Sequence, residues 1–128
     1  MENKKFEEII TAITEKNVDL QLKLLVELIC INGRTIPSEL KTELANQSYY
    51  DTFIYYHNMV YYAINWHNTG YSPSKLKKLM NEAITDFSPA DGLTGKRTAM
   101  RMFMDYLKYK KNLDHYIHQF NSSTNNKK

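Results

Sequence analysis

The sequence predicts an all-α fold, a compact single-domain bundle of five to six helices. Only 4 glycines and 3 prolines interrupt 128 residues, apolar residues recur at helical spacing, and no segment reads convincingly as a strand. A chain of this length buries roughly two thirds of its unfolded surface around a single core. We therefore expect one helical domain over residues 1–120 and a disordered polar tail over residues 121–128, because NSSTNNKK has no apolar side chain.

The first three predicted helices are separated by residues that favour helix ends. The first helix carries apolar residues at i, i+3, i+4 and i+7, which are Phe6, Ile9, Ile10 and Ile13. After a break at residues 17–19, a mostly apolar second helix ends before Gly33, which suits a left-handed C-cap. A short third helix follows, with Pro37 in its first turn, where a missing N–H costs little.

A long central aromatic helix is predicted over about residues 48–66, from SYYDTFIYYHNMVYYAINW. At about 100° per residue, the polar residues Asp51, Asn58 and Asn65 form one narrow stripe and almost all else is apolar, as in a buried helix. The tyrosine pairs recur every six residues, so they do not stack into one ladder for bases. We interpret the aromatics as core and core margin, with a partner interface as the alternative; the interface candidates are Asp51, Tyr55, Asn58, Tyr61, Tyr62 and Asn65.

The same helix places His57 on its apolar side, where we expect a hydrogen-bonded core imidazole and not a ligand. Cys30 is the only cysteine, so no internal disulfide can form, and its apolar surroundings indicate a small buried side chain. The absence of a signal-peptide apolar core and of an apolar run of transmembrane length predicts a cytoplasmic protein with no membrane partner.

Two further helices complete the prediction. Ser72 as N-cap and Pro73 at the first position start a fifth helix that runs to about Asp86, and Ser88–Asp91 begins one short turn. A long C-terminal amphipathic helix follows over about residues 96–120, with its buried stripe on Met102, Tyr106, Leu113 and Ile117. Met100 and Met104 are expected in the core together with Met102, in preference to a binding groove.

Segments 30–44 and 66–80 match at Asn, Pro, Ser, Leu and Lys with a constant offset of 36 residues. We call this match the echo. It is expected if the chain contains two stacked repeats of helix, loop and short helix, and equally if the two segments acquired the same helix-capping residues by convergence.

Catalytic chemistry has little support in the sequence. No serine-nucleophile, phosphate-loop, thiol-pair or zinc-protease motif occurs, so we expect no enzyme, no catalytic residue and no cofactor. His115 and His118, with Asp114, are weak metal-ligand candidates, because a metal centre needs a further ligand and no pattern ties His57 or His67 to them. A solvated helix end is the favoured interpretation of that motif.

The junction GLTGKRT places two glycines and two cations at a helix start, where free N–H groups favour an anion. Gly92-x-x-Gly95 followed by basic residues is similar to the loop of RNA-binding KH domains, although that family needs a sheet around the loop. Gly95–Ala99 also resembles the second half of a helix-hairpin-helix, with one extra residue between the glycines. The pattern assigns the chain to neither family, and ordinary helix caps are the alternative.

Charge is unevenly distributed along the chain. Residues 1–50 carry eight acidic and six basic residues, and residues 51–128 carry six and eleven. If the last two long helices are neighbours, their cations form one basic patch for a phosphate backbone or an acidic protein. The anion-binding candidates are Lys75, Lys77, Lys78, Gly95, Lys96, Arg97, Arg101 and Lys108.

These observations favour a small non-enzymatic regulatory or interaction protein that binds a macromolecular partner, and a homodimer is compatible with its Tyr and Met residues. The alternative is a sequence-tolerant nucleic-acid binder that uses the basic Gly-rich junction. A metal-dependent enzyme ranks third. The 14 lysines against 3 arginines are typical of an A/T-rich genome, so we expect the gene to belong to such a host or to its phages and mobile elements.

Overall fold

The computed structural model describes the backbone of residues 2–83 and 95–126 and the side chains of residues 4–82 and 100–122. Over these residues the chain is all-helical, which confirms the predicted fold class. The helices are α1 (Glu2–Thr14), α2 (Val18–Asn32), α3 (Ser38–Asn46), α4 (Tyr50–Trp66), α5 (Pro73–Ala83) and α6 (Gly95–Asn126).

Three long helices form the centre of the molecule, because α2, α4 and α6 each pack against the other two. Each of them also carries the shorter helix that precedes it: α1 packs on α2, α3 on α4, and α5 on α6. The fold is thus three short–long helical hairpins around a triangle of long helices. The predicted central position of α4 and its contact with α6 are confirmed, and α2 shares the centre with them.

The core is continuous across all six helices. Its most enclosed large side chains include Leu22 and Leu25 of α2, Phe53 and Met59 of α4, and Leu113 of α6. Burial of such side chains contributes about 1.5–3 kcal/mol each, which offsets the entropy lost on ordering the chain. Helix α4, which carries apolar residues on nearly all sides, is therefore central to the bundle, as its periodicity predicts.

Capping residues set several helix ends, and those at Gly33 and Ser72 were predicted from the sequence. The Asn17 side chain accepts a hydrogen bond from the Leu20 N–H (3.1 Å) at the start of α2, and the Ser72 hydroxyl accepts one from the Lys75 N–H (3.2 Å) at the start of α5. Gly33 follows α2 with φ of 64°, in the region that glycine occupies at low cost. Gly33 and Ser72 lie between successive hairpins, and Asn17 lies in the turn of the first hairpin.

The end of α6 differs from the prediction. Residues 121–126 are helical, so the helix continues six residues past the predicted end near residue 120. Ser, Thr and Asn are weak helix formers, but each costs well under about 1 kcal/mol, and no Gly or Pro follows Gly95 to stop the helix. The predicted end of α5 near Asp86 and the short turn from Ser88 to Asp91 lie outside the described residues.

Among the helices that the structure describes, none combines the length and the apolar character needed to cross a bilayer.

Candidate interaction surface

The outward side of α6 between residues 100 and 111 mixes apolar and basic side chains. Six side chains in this stretch are exposed, three apolar and three basic. We call them the α6 basic face: Met100, Arg101, Met104, Leu107, Lys108 and Lys111.

The apolar members of the α6 basic face form a short stripe. Met100, Met104 and Leu107 are spaced i, i+4 and i+7, so they lie on one side of the helix, and their exposed fractions are 46%, 58% and 39%. Of the three methionines expected in the core, only Met102 is buried. The error arose because the 100°-per-residue rotation points Met100 and Met104 away from Met102. Flexible, polarizable methionine at a surface is typical of adaptable binding sites.

The cations of the α6 basic face are available to a partner. Across the described chain, none of Arg101, Lys108 and Lys111 lies within ion-pair distance of a carboxylate. Arg101 lies over the Tyr55 ring, 5.7 Å from its centroid, and Lys108 lies 5.3 Å from the centroid of Tyr109. These rings hold the two cations at the edge of the apolar stripe.

The lysines of α5 lie on the helix that packs against α6. Lys75, Lys77 and Lys78 are exposed, and α5 packs against α6, so the condition for a shared basic surface is met. Gly95 is the first residue of α6. The side chains of Lys96 and Arg97, and residues 92–94, lie outside the described residues.

The stripe predicted on α4 does not form a continuous surface. Asp51 and Asn65 are exposed, but Asn58 between them is only 6% exposed and Tyr62 is 8% exposed. Both are buried because α4 packs against α2, α3 and α6, so neighbours surround most of its circumference. The interface predicted at this stripe is therefore reduced to its two ends.

The tyrosines beside the stripe bond within the protein. The Tyr55 hydroxyl donates to Asp105 Oδ2 at 2.6 Å, and Arg34 lies over the rings of Tyr61 and Tyr62 at 5.0 and 5.8 Å. Burial, and then the bond to Asp105, raise the pKa of Tyr55 above its ordinary value. These contacts agree with the core-margin interpretation of the aromatics.

The candidate metal ligands are held in other contacts or stand in solvent. Asp114 Oδ1 accepts from His67 Nδ1 at 3.2 Å, and Asp114 Oδ2 accepts from Lys110 Nζ at 2.7 Å. The structure thus ties His67 to α6, which the sequence did not predict. His115 and His118 are exposed, and no group of three His, Cys, Asp or Glu side chains in the described residues is arranged to hold a metal ion.

Two predicted core residues have distinct surroundings. His57 is 1% exposed, as predicted, but neither ring nitrogen has a hydrogen-bond partner among the described residues. Burial and then the charge of Arg34 lower the pKa of His57 to about 4, so the imidazole is neutral at pH 7. Cys30 is a half-buried free thiol, and burial raises its pKa, which keeps it protonated and unreactive.

A second surface was missed by sequence reasoning. A cavity of about 630 Å³ opens between α1 and α3. We call it the α1–α3 groove, and the residues that define it are Phe6, Glu7, Ile10, Glu39, Thr42 and Glu43. The regular i, i+3, i+4 spacing of Glu39, Thr42 and Glu43 signals one polar face of α3, but only the fold brings that face opposite α1.

The chain matches no protein-family model, no curated protein and no solved structure.

Proposed function

We propose that this protein is a non-enzymatic binding protein that docks an acidic, amphipathic helix of a protein partner on the α6 basic face. The observation that carries the proposal is the composition of this face: all six exposed side chains from 100 to 111 are apolar or basic. The nearest acid of the stretch, Asp105, is half-buried and bonded to Tyr55. Along residues 100–111 an acidic partner would therefore meet cations and no exposed carboxylate.

A protein helix fits this surface better than a nucleic-acid backbone. The centre of the face is the stripe Met100, Met104 and Leu107, which gains free energy only when apolar groups cover it. A phosphate backbone offers charge but few such groups, whereas an amphipathic helix presents both apolar anchors and a charged edge. Interfaces of this kind have an apolar centre and a polar rim.

A synthetic amphipathic helical peptide, with leucines on one face and glutamates along its edges, tests the proposal by fluorescence anisotropy. We expect binding at about 50 mM salt that weakens as salt screens the charges. The double variant Arg101→Glu, Lys108→Glu is expected to lose at least about tenfold in affinity, because two attractions become repulsions. Lys16→Glu, Lys23→Glu is the matched control on other exposed lysines. Equal affinity of the two double variants would contradict the proposal.

Nucleic-acid binding is the second candidate, favoured by the exposed Lys75, Lys77 and Lys78 on the helix beside α6. Labelled duplex DNA and single-stranded RNA, titrated at rising salt, should then show affinity that falls linearly on a logarithmic scale. The double variant Lys96→Glu, Arg97→Glu is expected to abolish this binding. Absence of binding at low salt excludes the candidate.

A further inference from the structure

The α1–α3 groove has the opposite chemistry to the α6 basic face. Phe6 and Ile10 of α1 supply apolar lining, and Glu7, Glu39 and Glu43 supply three negative charges. The described residues that line the groove include no lysine or arginine. A groove with an apolar lining and acidic edges favours an amphipathic helix whose edges are basic.

The α6 basic face has this pattern. Its apolar stripe would contact Phe6 and Ile10, while its three cations would meet the three glutamates. The groove is lined by residues 6–11 of α1 and by residues 39–47 of α3 and its C-cap, about 8 Å and about 12 Å of helix, so it covers part of the α6 basic face, which is about 16 Å long from residue 100 to residue 111. The two surfaces therefore complement each other in charge and share an apolar centre.

The two surfaces cannot meet within one copy of the chain. The exposed side of α6 points away from α2 and α4, on which α6 packs, whereas α1 and α3 pack on those same two helices. A contact between them has to join two copies head to tail. Such a contact leaves one free groove and one free face at the ends of the assembly, so it continues into a chain or closes into a ring.

We propose that the α6 basic face of one copy binds in the α1–α3 groove of a second copy. The inference rests on the proposed function in one respect, since it uses the same face of α6. Self-association then covers the surface that the acidic partner needs, so the protein binds its partner best when dilute. The partner and a second copy compete for one site.

Sedimentation velocity of the full chain at low salt tests this contact. We expect the mean mass of the wild-type protein to rise with concentration, and to fall back to the monomer as salt is added. The groove variant Glu39→Lys, Glu43→Lys and the face variant Arg101→Glu, Lys108→Glu should each remain monomeric. The matched control Glu8→Lys, Glu15→Lys changes two exposed acids outside the groove and should associate like the wild type.

Mixing the two monomeric variants gives the decisive measurement. The groove variant keeps its α6 basic face and the face variant keeps its groove, so an equimolar mixture should form a heterodimer and nothing larger. A wild-type protein that stays monomeric at all concentrations, or a mixture that does not associate, would overturn the inference. All substitutions are at exposed positions, and circular dichroism checks that each variant remains folded.

The acidic peptide separates this inference from the proposed function. The groove variant should bind the peptide at least as tightly as the wild type, because its α6 basic face is never covered. If the protein self-associates but binds no peptide, the proposed function fails and the self-association stands. If the groove variant binds the peptide and the mixture stays monomeric, the proposed function stands and the self-association fails.

Discussion

At the scale of single residues, His57 combines deep burial with two ring nitrogens that find no partner in the described part of the chain. Its ring lies 5.4 Å from that of Phe53, in surroundings that disfavour a charge. A proton on this ring would be buried without compensation, and the charge of Arg34 adds repulsion. The neutral imidazole is therefore the form compatible with the folded state.

This placement predicts acid sensitivity. The pKa of His57 is about 4 in the folded protein, against an ordinary value of 6.5. Between pH 6.5 and pH 4, His57 is therefore protonated in the unfolded chain but not in the folded chain. The contribution of His57 to the unfolding free energy is fully present above pH 6.5. It is lost as the pH decreases towards 4, by up to about 3 kcal/mol. His57→Phe should flatten this part of the pH profile.

Urea unfolding between pH 7.5 and pH 4 measures the effect, as the slope of the unfolding free energy against pH. The control is His118→Phe, at an exposed position on α6, which should leave the slope as in the wild type. A His57→Phe variant with the wild-type slope would show that another group sets the acid sensitivity. The comparison of slopes is independent of any packing cost that the larger ring adds at neutral pH.

At the scale of helices, the boundaries that the sequence predicted are those with local capping signals. Gly33 and Ser72 act where expected because a cap depends on residues three or four positions away. A break was predicted at residues 17–19, but the cap by Asn17, after which α2 begins at Val18, was not. The end of α6 could not be predicted in this way, since its last residues carry neither a stop signal nor an apolar face. The sequence therefore predicts that each helix forms, but it does not predict where a helix without a cap ends.

The echo between segments 30–44 and 66–80 has a structural counterpart. Leu40 and Leu44 of α3 are buried, and so are Leu76 and Met80 at the equivalent positions of α5. Each short helix packs on the long helix that follows it. The shared residues therefore support the same local arrangement, whether the two units arose by duplication or by convergence.

The cap of α5 gives a prediction at this scale. Ser72→Ala removes the acceptor for the Lys75 N–H and should lower the unfolding free energy by about 1 kcal/mol. Ser74→Ala, two residues further on the exposed side of the same helix, is the matched control and should change stability by less than about 0.5 kcal/mol. Chemical denaturation of both variants measures the difference, and equal stabilities would show that Ser72 does not cap α5.

At the scale of the whole molecule, hydrogen bonds to carboxylates join α6 to residues that are distant in the sequence. Asp19 of α2 accepts from Tyr116 at 2.6 Å and from Asn112 at 2.9 Å, and Asp105 and Asp114 bond to Tyr55 and to His67. These pairs lie 47 to 97 positions apart. Periodicity places each residue on a face but gives no pairing, so these contacts could not be predicted from one sequence.

The same limit applies to the candidate surfaces. The basic character of the α5 and α6 region followed from the charge count, because six of its cations belong to exposed helix faces. The α1–α3 groove depends on two helices separated by all of α2, and its acidic character emerges only when they are brought together. The distribution of charge along the chain thus predicted the basic surface of α5 and α6, but it did not predict the acidic α1–α3 groove.

Four tyrosines of α4 and α6 predict how the whole molecule responds to alkali. Burial raises the pKa values of Tyr55, Tyr56, Tyr106 and Tyr116, and the bond to Asp19 helps to raise that of Tyr116 to about 12. Above pH 10 the unfolded chain releases phenolic protons that the folded chain retains. The unfolding free energy is therefore expected to fall as pH rises from 10 to 12.

The Tyr116→Phe variant tests this expectation by denaturant unfolding at pH 8, 10 and 11. At pH 8 it should be less stable than the wild type by about 1–2 kcal/mol, because Asp19 loses a donor. Its stability should fall less steeply above pH 10, so the two curves converge. Tyr71→Phe is the control, because its ring is exposed and its hydroxyl makes no hydrogen bond to any described residue. If Tyr116→Phe falls as steeply as the wild type, the Tyr116 proton does not contribute to the stability of the bundle.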